Sequence, residues 1–156
     1  DDNTTRLHYL ASRKVVSCGG AYFYRQHAAS VTHQISSRRF DYLKANAAMM
    51  AELRRLKVSS HLLKVYENER WKNVVGIYLF YWQHAQELAD ADRREGLHII
   101  RNTWKSIDFR MIFPENKNKL GFLSCRSSLL PEGICWRLFR LQANLYFLLK
   151  RISGKI

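Results

Sequence analysis

Residues 74–82 read Val-Val-Gly-Ile-Tyr-Leu-Phe-Tyr-Trp, and whether they coil or extend decides the fold class of this chain. The nonapeptide is apolar on every side and rich in strand-favouring residues, so its periodicity fits a buried strand as well as a buried helix. The flanks arbitrate. Gln83 to Arg94 has helical composition, and no turn signal separates it from Trp82, so the stretch reads as helix. Upstream, Ser59 and Ser60 are good capping residues for a helix that starts near His61. Continued to about Gly96, such a helix is a rod of about 50 Å. That is long for a small domain, and a break is expected near Gly76, because Gly costs about 1 kcal/mol inside a helix. Nine apolar residues are too few to span a bilayer. Their expected role is core, with a docking surface for another subunit as the alternative.

On either side the helical pattern continues. Phe40, Leu43, Ala47, Met50, Leu53 and Leu56 recur at three- and four-residue steps within residues 39–57, and Arg54, Arg55 and Lys57 complement the dipole of the last turn. Leu97, Ile100, Trp104 and Ile107 predict a further helix before Pro114. Residues 114–133 carry both prolines and the run Glu-Asn-Lys-Asn-Lys, the composition of a loop. Beyond it, Ile134, Leu138, Leu141, Leu145, Leu148 and Ile152 step 4-3-4-3-4, a heptad seam. On a helical projection they fall within an arc of ~80°, and Arg137, Arg140, Asn144, Arg151 and Lys155 fill a neighbouring arc of ~60°. Trp136 and Phe147 lie just beyond the basic stripe. One face can bury against a partner or the core while the next presents cations beside flat rings.

The expected fold class is therefore all-α: a single domain of four to five helices with an extended basic N-terminal arm and a C-terminal amphipathic helix. Its parts are the arm at 1–38, a helical body at 39–113, a linker-like loop at 114–133 and the basic C-terminal helix at 134–156.

Charge narrows the function. The 156 residues hold 26 Lys and Arg against 13 Asp and Glu, a net charge of +13 that is best offset by a polyanion, either nucleic acid or an anionic membrane surface. Residues 41–95 are nearly neutral, with nine basic and eight acidic groups, so the surplus lies at the two ends. From Asn3 to Phe40 there is no acid, while Ser and Thr abound among Arg6, Arg13, Lys14, Arg25, Arg38 and Arg39. Arg-rich, Ser-rich and acid-poor is the composition of an organelle presequence, and a start at Asp rather than Met fits a processed chain. The alternative is a basic arm that orders against a partner. A mitochondrial location is expected, in the matrix or on the matrix face of the inner membrane.

No phosphate-binding glycine loop, G-x-S-x-G or H-E-x-x-H motif occurs, and the six histidines are scattered. Cys18, Cys125 and Cys135 form no C-x-x-C pair and read as small buried hydrophobes rather than a disulfide framework or zinc site. Glu87, Asp90, Asp92 and Glu95 interleave with Arg93 and Arg94, and the Asp90/Arg94 spacing marks a charge-laced helix face. No enzyme, cofactor, metal or small-molecule substrate is expected.

Cations that displace counterions, beside rings on which bases stack, are what single-stranded RNA requires. The candidate nucleic-acid-binding residues are Arg6, Arg13, Lys14, Arg25, Arg38, Arg39, Trp136, Arg137, Arg140, Phe147, Arg151 and Lys155. Ile134, Leu138, Leu141, Leu145, Leu148 and Ile152 are the candidate partner-docking residues. Together they point to a structural subunit of an organellar ribosome that contacts rRNA and neighbouring proteins. The generous aromatic content keeps an alternative close: an accessory subunit of a respiratory or ATP synthase complex, set against membrane subunits and anionic lipids.

Overall fold

A computed structural model describes residues 2–17, 19–20, 35–123, 126 and 128–154. Two compact units make up the chain, Asp1–Ile35 and Ser36–Ile156. The first contains α1 (Asp2–Ala11). The Ser12 hydroxyl, just past its end, donates to the His8 carbonyl at 2.6 Å. The remainder of the arm around Arg25, together with Cys18 and Cys125, lies outside the described residues.

The second unit contains a 3₁₀ turn (Ser37–Phe40), α2 (Asp41–Arg55), α3 (Ser60–His84), α4 (Asp90–Ser106), the single turn α5 (Pro114–Lys117) and α6 (Glu132–Ile152). Among the described residues there is no strand, and the fold is all-α. Residues 74–82 lie inside α3, whose N-terminus is capped by the Ser59 hydroxyl accepting from the Leu62 N–H at 3.2 Å. The helix runs through Gly76 without the expected break. Gly76 faces solvent, and burial of Trp71, Val74, Val75 and Tyr78 on the opposite side outweighs its cost. The chain turns instead after His84. Leu88 tucks into the core and Glu87 pairs with His84 at 2.7 Å before α4 starts with Asp90 and Asp92 in its first turn. Gln83 to Arg94 is thus two helix ends joined by a turn that carries neither Gly nor Pro.

α2 buries Phe40, Leu43, Met50 and Leu53 as the periodicity predicts, but Ala47 and Leu56 point outward. Asn46 takes the inward place: it donates to the Tyr42 carbonyl at 2.6 Å and accepts from Asn73 of α3 at 2.7 Å. The helix ends with Lys57 at φ 51°, the Lys57 N–H bonding to Arg54 O and the Val58 N–H to Leu53 O, the paired closure that usually employs a glycine. At Gly96 of α4, a Cβ would overlap the Phe40 ring, so the first turn of the unit seats on α4 only because that residue is Gly.

Polar groups buried on α3 fix the chain after α4. Glu67, wholly buried, accepts from Arg70 at 2.6 Å and from the Asp108 N–H at 2.6 Å, and Arg70 donates to the Ser106 hydroxyl at 2.7 Å. Asn68 accepts from the Phe113 N–H at 2.8 Å and from Asn116 at 2.9 Å, and donates to the Met111 carbonyl at 3.0 Å. The stretch that composition marks as a linker is held again further on. Gln142 of α6 accepts from the Gly121 N–H at 2.6 Å and donates to the Leu123 carbonyl at 3.1 Å. Gly121 has φ +86°, and a Cβ there would strike the Tyr146 ring. Body, loop and C-terminal helix are therefore one packed unit.

Replacing Glu67 by Ala strands the buried Arg70 guanidinium and should cost about 3–5 kcal/mol in denaturant unfolding, whereas Glu67→Met with Arg70→Met should recover most of it. A loss below about 1 kcal/mol for the single variant would show that the pair does not hold the loop.

Candidate docking and polyanion surface

α6 is apolar on two opposite sides. Cys135, Trp136, Phe139, Ala143 and Phe147 are buried, and they interlock with rings of α3 and α4. Phe139 packs on Trp71 and Tyr78 with centroids 5.6 Å away in each case, and Trp136 packs on Trp104 at 5.4 Å. The seam residues Ile134, Leu138, Leu141, Leu145, Leu148 and Ile152 are all exposed, Leu141 at 68% and Ile152 at 75%. On a helical projection the two sets are centred about 160° apart. The leucine seam therefore takes no part in the core. Leu149, which the heptad reading passed over, widens it by one residue on the side away from the cations, a position the same projection places about 60° from Ile134.

The ring faces expected to stack bases are in the core. Trp136 and Phe147 are 6% and 1% exposed, because α3 and α4 offer aromatic partners on that side and the seam meets none. Neither presents a stacking platform. Arg140 is partly turned inward, donating to the Tyr78 hydroxyl at 3.2 Å, and Tyr78 in turn donates to Asn144 at 2.8 Å. Burial pushes the Tyr78 phenol above its ordinary range, and the Arg140 guanidinium partly offsets the effect. Arg137 and Arg151 remain exposed beside the seam, while Lys155 lies outside the described residues.

The other candidate cations belong to other elements. Arg38 and Arg39 occupy the 3₁₀ turn, where the Arg39 guanidinium sits 5.7 Å from the Phe80 ring centroid. Arg6, Arg13 and Lys14 belong to the first unit, and Arg25 is outside the described residues. One cation that composition did not single out is structural. Arg126 donates to the Lys105 carbonyl at 2.7 Å and covers the rings of Trp104 and Phe109, tying the loop before α6 to the end of α4.

Three carboxylates of the acidic cluster have basic side-chain partners. Asp90 meets Arg93 at 2.8 Å rather than Arg94, Glu87 meets His84, and Glu95 approaches Lys44 at 3.7 Å. At the start of the pinned loop, the Arg110 guanidinium beside Asp108 holds that carboxyl below the usual carboxylate range. No group of three side chains able to hold a metal ion occurs among the described residues, and no helix there is long and apolar enough to cross a membrane. The buried thiol of Cys135 faces the Leu130 carbonyl at 3.7 Å. The chain matches no protein-family model, no curated protein and no solved structure.

Two outcomes follow from the two faces of α6. Phe139→Ala should cost about 3–5 kcal/mol in unfolding free energy, while Leu141→Ser with Leu145→Ser should stay within about 0.5 kcal/mol per site. Comparable losses from both would mean that the seam is buried in solution. In an alkaline ultraviolet titration, Tyr78 should ionise above the ordinary tyrosine range. Its raised pKa means that the stabilisation is fully present below the unfolded value near ~10 and is lost as pH rises through the folded one. Tyr78→Phe should remove the last part of the phenolate curve, and an unchanged curve would contradict the assignment.

Proposed function

We propose that this chain is a non-catalytic structural subunit of an organellar ribosome, contacting rRNA through its basic ends and a neighbouring protein through α6. The observation that carries the reading is an uncovered aliphatic seam bordered by exposed arginines on a helix with no acid after Glu132. A monomer gains nothing by displaying such a surface, whereas a subunit uses it. With Trp136 and Phe147 in the core, RNA contact runs through phosphates rather than stacked bases, and it is sequence-independent and salt-sensitive.

The same seam favours a second reading, an accessory subunit of a mitochondrial respiratory or ATP synthase complex. There the seam rests on membrane subunits and the cations face anionic lipid headgroups. In both readings the chain holds no cofactor and turns over no small molecule.

Sedimentation of the native protein from gently detergent-solubilised mitochondria, with and without RNase, separates the two. Release from a heavy particle by RNase is the expected result. Co-migration with a detergent-dependent particle indifferent to RNase would replace it with the second reading, and a light, free protein would overturn both. On purified RNA, Arg137→Gln with Arg151→Gln should flatten the dependence of log affinity on log salt by about 1.5. An affinity unchanged between low and high salt would remove rRNA as the partner.

A further inference from the structure

We propose that the exposed seam of α6 seats one amphipathic helix of another protein, and that the flank of this helix facing Arg137 and Arg151 is acidic. The inference rests on the subunit reading and names the partner's chemistry. Spacing is the first support. Ile134, Leu141 and Leu148 occupy d-type heptad positions and Leu138, Leu145 and Ile152 the a-type positions, the 3.5-residue repeat that lets one helix follow another. Over these residues the seam is about 27 Å long, about five turns.

Residue type is the second support. The seam is wholly Leu and Ile, while every ring of α6 is spent elsewhere: Trp136, Phe139 and Phe147 in the core, and Tyr146 against Phe122 with centroids 6.3 Å apart. Trp and Tyr are enriched where helices meet the lipid headgroup layer, and this face exposes no such ring.

Charge selects the partner. The flank preceding each a-type position holds Arg137, Asn144 and Arg151, with Asn144 engaged by Tyr78. On the other flank, Gln142 is bonded to Gly121 and Leu123, so the chain's own loop occupies that side. An antiparallel second copy would bring Arg137 against the partner's Arg151, and a parallel copy would set Arg137 against the partner's Gln142, which carries no charge. An acidic helix satisfies both exposed cations.

The test uses the full chain and two synthetic, helix-stapled 21-residue probes with Leu at every a and d position. One carries Glu at both flanking positions and the other Lys. The Glu probe should bind about tenfold more tightly than the Lys probe. Leu141→Ser with Leu145→Ser should abolish its binding, and Arg137→Glu with Arg151→Glu should invert the preference. Equal binding of the two probes, or none, would overturn the inference. So would binding to phosphatidylserine vesicles that the seam variant loses, which would make the occupant a membrane surface. A dimer in sedimentation equilibrium that the seam variant dissociates would make it a second copy. Failure here is separable from failure of the ribosomal reading. A chain released by RNase that ignores the Glu probe refutes the helix partner alone, and one that binds the probe yet sediments indifferently to RNase refutes the ribosome alone.

Discussion

The rotation of α6 about its own axis depends on how its rings engage Tyr78, Trp71 and Trp104. Tyr78 bonds to both Arg140 and Asn144, and Phe139 fills the space between Trp71 and Tyr78. Turning the helix to bury the leucines would break two hydrogen bonds at a buried phenol and take four or more rings out of contact. Edge and offset ring pairs are worth about 0.5–1.5 kcal/mol each beyond their buried area, so the aromatic face wins. The exposed seam is the other side of that outcome: a helix with two apolar faces and one core leaves the second face uncovered.

What makes this platform rigid is the polar interior of α3. Glu67, Asn68 and Arg70 are buried, and each reaches a backbone or side-chain group between Ser106 and Asn116. Hydrogen bonds that lie out of water are costly to break because the freed groups remain desolvated. The segment after α4 is thereby as well defined as a helix, although its composition is that of a connector. Arg126 and Gln142 extend the same service to the stretch leading into α6, tying it to the end of α4 and to α6 itself.

Electrostatics divides the molecule in the way its charge distribution predicts. In the nearly neutral middle, acids meet bases across one turn of helix or between neighbouring helices, as Asp90 with Arg93 and Lys44 with Asp41. Exposed pairs of this kind add little to stability, but they cancel the local field. Beyond Glu132, which is held by Arg101 and Lys105, no acid follows on α6, and Arg137 and Arg151 face outward with no carboxylate paired to them among the described residues. Charge and exposed apolar area therefore coincide on α6.

The all-helical class, the long helix through residues 74–82, the Ser59 cap and the inward face of α2 were legible in the sequence. Each depends on residues close along the chain and on the 3.6-residue period. The position of the break was not: Gly76 carries the local signal, yet burial on its far side kept the helix intact and the turn fell at 85–89. On α6 the sequence displayed the leucine heptad as a face for a partner or the core, and Trp136 and Phe147 as surface rings beside the cations. Tertiary structure left the leucines exposed and turned those two rings inward. Which of two apolar faces turns inward is decided by what stands opposite it, and the rings that complete this core come from α3 and α4, more than 50 residues earlier in the case of Tyr78.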